Sequence, residues 1–335
     1  MKTFWTIVLG LFLLVGCSEE DDPLGNWVRK SDFEGLPRGS AVSFVIDGKA
    51  YVGLGFNDDA GDSGDSDDYL KDFWMYSPLT DRWDRIADFP GHGRVASVAF
   101  SINGKGYVGT GYDGDNELKD FWEYDPTTNK WTQKDDFMGG ARYKAVGFSL
   151  KNYGYIGTGY GDDSVDKIDF YRFDPSAATG SQWVKVKSIG GSKRRGATAF
   201  TYNDKAYVCT GSSNAASLTD MWEYDPTADS WTQKTDIDDD EDWTIARQNA
   251  CSLVLDGKAY VFLGENSSSL LNTVWQYDFA KDTWTDLSDF EGSSRTNAVA
   301  FTVGNKAIVT TGQSGSYYLD DVWEWRPYEE SDTDD

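Results

Sequence analysis

Apolar and polar positions recur along this chain in one fixed order. An arginine opens a run of small and apolar residues, a tight turn follows, and an aromatic run ends in glycine. A segment alternating in period two comes next, and then a lone tryptophan. In the clearest copy, Arg94 to Ile102 (RVASVAFSI) predicts a strand buried between neighbouring sheets, and Asn103-Gly104 is a preferred two-residue hairpin turn. Lys105 to Gly111 (KGYVGTG) predicts a second strand, with glycines suited to close backbone approach near an axis. Asp120 to Pro126 (DFWEYDP) alternates, so Phe121 and Glu123 share one face while Trp122 and Tyr124 share the other. Pro126 stops that strand and Trp131 opens a fourth. The unit is a four-stranded antiparallel sheet.

The arginines that open the units read as Arg38, Arg94, Arg142, Arg195, Arg247 and Arg295, spaced 56, 48, 53, 52 and 48 residues apart. A period near fifty is the length of a propeller blade. The sixth unit runs through Asp321 to Trp325 and has no fourth strand behind it. That strand is found at the other end: Trp27 precedes Ser31-Asp32-Phe33-Glu34-Gly35, and Trp284 precedes the same pentapeptide, Ser288-Asp289-Phe290-Glu291-Gly292, at the same distance. The expectation is an all-β, six-bladed propeller over 26–328 whose first strand completes the last blade and removes the seam.

The Gly-x-Gly ends (Gly53 and Gly55, Gly109 and Gly111, Gly157 and Gly159), the Tyr-Asp-Pro turns and the trailing tryptophans resemble the kelch family of β-propellers. Cys209-Thr210-Gly211 departs from the glycine pattern, and Thr273 stands where the other units carry Asp72, Asp120, Asp169, Asp220 and Asp321. The resemblance implies a binding platform or, in a minority of such domains, an enzyme.

Residues 1–16 carry one lysine and an apolar run ending in Leu14-Val15-Gly16-Cys17, which resembles the lipobox of a bacterial lipoprotein. Cys17 would then be the lipidated N-terminus. The following acidic tether, 17–25, resembles the export signal of surface lipoproteins of Bacteroidetes-type bacteria, and 329–335 reads as an acidic tail. The resemblance implies an outer-membrane lipoprotein, with the propeller expected to face outward on a short tether. A net charge of −25 makes nucleic acid a poor partner. Cys209 and Cys251 read as buried free thiols, and a monomer is expected.

In a four-stranded meander the second-to-third loops and the blade crossings share one face, and here these are the variable segments, where recognition is usually built. On that face Tyr112, Tyr160, Trp243, Tyr317 and Tyr318 offer flat amphipathic surfaces, and Asn116, Asn214, Asn266 and Gln313 offer amides, a plausible set for a glycan. Arg194 is a further candidate. The repeated arginines fit pairing with the repeated aspartates better than a positive collar, because one ligand cannot meet six equivalent positions alike. The acidic loop Asn57 to Asp72 and the run Asp238 to Asp242 read as solvated charge, with no metal or other cofactor expected.

One histidine, His92, cannot build the copper site of galactose oxidase, which kelch repeats bring to mind. Acid/base chemistry of the kind found in kelch-type sialate epimerases needs only carboxylates and arginines at the channel mouth, for which Arg94, Arg142, Arg194 and Asp162 are candidates. Three functions therefore stand open: an envelope-anchored protein binding a glycan or a protein partner, an isomerase of acidic sugars, or an acidic docking subunit of an envelope complex.

Overall fold

A computed structural model describes residues 24–58, 68–237, 246–267 and 269–331. Among them are six four-stranded antiparallel sheets and no helix. Five sheets are continuous meanders, for example Val98–Ile102, Lys105–Gly109, Phe121–Asp125 and Lys130–Gln133. In the sixth, Val299–Val303 and Lys306–Thr310 are followed by Val322–Glu330, and Leu24–Arg29 supplies the fourth strand. Trp27 lies opposite Trp325 and Arg29 opposite Trp323, as the shared pentapeptide implied. The pairing of Leu24 with Glu330 carries the strand pair beyond both expected ends, into segments read as tether and tail.

Each first strand is shorter than its apolar run suggested. In the second blade it begins at Val98 rather than Arg94. Arg94 to Ser97 serves the hub instead: the Arg94 side chain turns inward, and Val95 bridges to Tyr112. The second strand likewise stops at Gly109, because Thr110 adopts a left-handed backbone at φ 59° and Gly111 follows at φ 108°. Close approach explains Gly53, Gly109 and Gly157 differently from the expected taper. A Cβ on each would lie 2.3–2.4 Å from the ring of Phe73, Phe121 or Phe170, the phenylalanine opening the neighbouring third strand.

Both faces of each sheet are buried between blades, so the alternating third strand feeds two cores. Phe121 packs with Phe173 and Trp183 of the next blade, while Tyr124 and Trp122 pack with Phe44, Tyr51 and Phe73 of the one before. The trailing tryptophans tie blades together through their indole N–H groups. Trp131 donates to the Ala87 carbonyl, Trp183 to Asp135, Trp231 to Lys187 and Trp284 to Thr235, each at 3.0 Å.

Beneath the loop face lies a repeated ion pair. Arg38, Arg94, Arg142, Arg194 and Arg295 are fully buried and reach Asp72, Asp120, Asp169, Asp220 and Asp321 of their own blades. Arg94 meets both carboxylate oxygens of Asp120, at 2.6 and 2.8 Å, and gives a further bond to the Thr110 carbonyl. The member of the fourth blade is thus Arg194, not Arg195. The two arginines are adjacent in sequence, and only the first has its side chain directed into the blade. In the fifth blade Arg247 bonds the hydroxyl and carbonyl of Thr273, the residue that stands at the aspartate's position. Burial raises the pKa of Asp72, Asp120 and Asp321, but the arginine hydrogen bonds and charges outweigh it and hold all three below the usual carboxylate value.

Two closed circuits of backbone hydrogen bonds join the blades at the axis. The N–H groups of Gly55, Gly111, Gly159, Gly211, Gly264 and Gly312 each donate to the carbonyl of the next blade's buried arginine, the last returning to Arg38. Nearer the axis, Ser40, Ala96, Lys144, Gly196, Asn249 and Asn297 all take left-handed backbones with φ of 50–62°. Their N–H groups donate to one another head to tail: Ser40 to Asn297, Asn297 to Asn249, Asn249 to Gly196, Gly196 to Lys144, Lys144 to Ala96 and Ala96 to Ser40. A left-handed backbone costs a non-glycine residue about 1–2 kcal/mol. The ring offsets that cost by satisfying polar groups at a position where no strand can pair them.

Candidate functional site

The hub ring is the floor of the loop-face mouth. It encloses a cavity of about 120 Å³, with a second of about 190 Å³ among the first strands of the blades. Around the floor, the residue following each buried arginine bridges to the first residue after the left-handed glycine of the same blade. The pairs are Gly39 with Phe56, Val95 with Tyr112, Tyr143 with Tyr160, Arg195 with Ser212, Gln248 with Glu265 and Thr296 with Gln313. This repeated frame delivers different side chains to equivalent positions.

One side of the wall is aromatic. Tyr318 meets Phe56 at 5.9 Å and Phe56 meets Tyr69 at 5.0 Å between ring centres. Tyr112, Tyr143 and Tyr160 continue it at 5.6 and 5.7 Å, and the Arg195 guanidinium lies 4.5 Å over the Tyr160 ring. Arg195 also reaches Asp166 at 3.6 Å. Burial raises the pKa of Tyr69 and Tyr143, so both phenols remain neutral donors at physiological pH.

The remaining wall is polar. Glu265 accepts hydrogen bonds from the side-chain amides of Asn249 at 2.7 Å and Gln248 at 3.2 Å. Gln313 donates to the Gly315 carbonyl within its own hairpin. Lys144, alone of the six hub-ring residues, brings an amine to the floor. Burial draws its pKa below the usual lysine value; Glu265 opposes that shift and Arg195 reinforces it.

Of the residues anticipated from sequence, Tyr112, Tyr160, Tyr318 and Gln313 stand in this frame. Tyr317 is at a hairpin tip, 75% exposed, and Asn116 and Asn214 are exposed turn residues beyond the wall. Asn266 pairs with Ser269 in the fifth blade's hairpin, one residue past Glu265. Arg194 is withdrawn from any ligand, because its guanidinium is wholly buried against Asp220, and the same holds for Arg94 and Arg142. Asp162 is exposed outside the frame. Trp243, Cys17, the run Asp238 to Asp242 and most of the acidic loop lie outside the described residues.

Sequence reasoning passed over Phe56, Tyr69, Tyr143, Lys144, Gln248, Asn249 and Glu265. A signal existed: several of them lie one or two places after a buried arginine or directly after the left-handed glycine. His92 is a surface residue 3.7 Å from Asp113, and no group of three or more potential metal ligands occurs among the described residues.

Comparison with known proteins agrees with this architecture. The model of the Kelch-repeats domain of KLHDC2, KLHL20 and DRC7 matches residues 139–294, and the Kelch motif matches residues 94–138. An N-acetylneuraminate epimerase of Yersinia enterocolitica is 33% identical over 89 residues, which is 26% of this chain and 22% of that protein. The chain therefore spans under a quarter of this relative's length in the matched region. A solved structure described as that of YjhT superposes with a TM-score of 0.73 over 88% of this chain and 95% of its own, at 15% identity, a likeness of fold. The repeats, the sheet topology and these matches together make the chain an all-β, six-bladed propeller carrying Kelch repeats.

Proposed function

We propose that the mouth of the propeller is a carbohydrate-binding site. The observation that carries this reading is the division of the wall into an aromatic arc, Tyr318 to Tyr160, and an amide and carboxylate side formed by Gln248, Asn249, Glu265 and Gln313. Sugars present apolar C–H faces and hydroxyl edges at once, and such a divided wall meets both. A glycan-array screen of the protein tests the reading directly. Binding that Tyr112→Ala and Tyr160→Ala both weaken supports it; no glycan retained, or retention indifferent to both changes, removes it.

A second reading, isomerisation of an acidic sugar, is favoured by the similarity to an N-acetylneuraminate epimerase. Arg195 and Glu265 supply charged groups at the mouth, and Lys144 an amine of lowered pKa, that would hold and reprotonate such a substrate. Following the isomer signals of N-acetylneuraminate by NMR, with and without protein, decides it. Equilibration no faster than in buffer rejects this reading.

The leader motif supports attachment of the protein to the cell envelope by a lipid on Cys17, with the outer membrane surface as its place. Cys17→Ser should release it from the membrane fraction, because a lipid anchor would be the stable attachment. Retention of that variant would require a protein partner instead.

A further inference from the structure

We propose that Lys144 is a reactive amine that condenses reversibly with small aldehydes entering the mouth, the open-chain form of a reducing sugar being the class this site would present to it. This inference deepens the carbohydrate reading and rests on it for the identity of the ligand, while the chemistry of the amine stands on its own observations. The equivalent hub positions carry Ser40, Ala96, Gly196, Asn249 and Asn297, so Lys144 is the one titratable side chain in the ring. Its backbone is locked by two ring hydrogen bonds, with N–H to Ala96 and carbonyl from Gly196. Its amine makes no hydrogen bond or ion pair with any of the described residues.

The surroundings lower the proton affinity of the amine, which raises the share of the nucleophilic form. Arg195, from the neighbouring crossing, opposes a second positive charge. Glu265, the carboxylate felt by Lys144, is already engaged by Asn249 and Gln248. Tyr143, adjacent in sequence, is kept as a neutral phenol by burial. Desolvation at the floor of the mouth is the largest influence on the amine, and a lysine so placed is the kind that forms imines.

The step balances without a further reactant. The Nζ lone pair forms the C–N bond, the carbonyl π pair moves to oxygen, and that oxygen takes a proton from solvent. The nitrogen loses one proton to give the carbinolamine; the hydroxyl takes a second proton from solvent and leaves as water, and loss of the remaining N–H proton gives the imine, a sequence that water reverses. Such a step would hold an open-chain sugar and allow it to reclose at either face of its carbonyl carbon.

The test is reductive trapping. The full chain is incubated at pH 7 with glyceraldehyde and sodium cyanoborohydride, and the labelled lysines are mapped by mass spectrometry. Lys144 should be alkylated severalfold faster than the exposed Lys119 and Lys151. Lys144→Asn is the control of choice, since Asn249 and Asn297 show that asparagine fits this hub position and backbone. It should fold normally and lose the fast label, and Lys144→Arg should lose it too.

Labelling of Lys144 no faster than Lys119, or only at the alkaline pH where every lysine reacts, overturns the proposal. Glyceraldehyde needs no aromatic wall, so the two readings fail separately. Fast labelling without glycan retention upholds the amine and removes the glycan, whereas glycan retention with a slow Lys144 does the reverse.

Discussion

The repeated arginine illustrates how much one side chain can carry in this fold. Arg94 stacks at 4.8 Å over Phe89, forks onto Asp120, and caps the Thr110 carbonyl where the backbone turns left-handed. Asp120 in turn accepts the indole N–H of Trp122 at 2.8 Å. Removing one partner strands a buried charge, so Arg94→Ala should cost about 3–5 kcal/mol in urea unfolding. The loss should shrink in a background of Asp120→Ala; additive losses would show that the pair is not coupled. The same carboxylates set an acid limit. Asp72, Asp120 and Asp321 have folded pKa values below their unfolded ones, so their contribution is whole above the unfolded value, about 3.9, and is lost as pH falls through the folded values. The urea midpoint should fall steeply below about pH 4, and a midpoint flat down to pH 2 would contradict this. Cys209 and Cys251 present the opposite case: both are free and buried, and burial pushes their thiols up to about 12. A thiol reagent at neutral pH should label them only on unfolding, and rapid labelling of the native protein would contradict their burial.

At the scale of elements, closure rests on the segment Leu24–Arg29. Trp27 is fully buried and packs at 4.6 Å against Trp325 and 4.7 Å against Phe290. Deleting Leu24 to Arg29 should lower the melting temperature of the whole domain, since it empties a core and exposes a long edge. An unchanged melting temperature would refute the closure. This much was legible because closure was written twice, in a missing fourth strand at one end and a duplicated pentapeptide at the other. The strand starts were less legible. Val95 and Ala96 look like strand residues, yet the buried Arg94 and the left-handed turn at Ala96 divert them to the hub, and no local preference reveals that. Arg194 and Arg195 show a related limit: adjacent identical residues differ only in which one the blade takes inward, and the sequence favours neither. The mouth was harder still, because Lys144 and Glu265 approach one another only when separate blades are assembled around an axis.

At the scale of the molecule, a chain of net charge −25 gathers Arg195 and Lys144 at one mouth. On the carbohydrate reading, Arg195 would favour an acidic sugar there, whereas the net negative charge of the chain disfavours polyanions. If the mouth binds a glycan, Tyr112→Ala and Tyr318→Ala should each weaken binding by about 1–2 kcal/mol, from a micromolar-to-millimolar affinity. Isothermal titration checks this, and equal affinities in all three proteins would place the ligand elsewhere. The first strand has a consequence in time as well as in space. Leu24–Arg29 leaves the ribosome among the earliest parts of the propeller, and its partner Val322–Glu330 among the last. The clasp therefore stays open through nearly the whole of synthesis, with Trp27 waiting unsheltered for Trp325 and Phe290 to arrive. A chain that stopped before Val322 would leave the ring open, with Trp27 lacking its partner strand and Lys306–Thr310 exposing an unpaired edge.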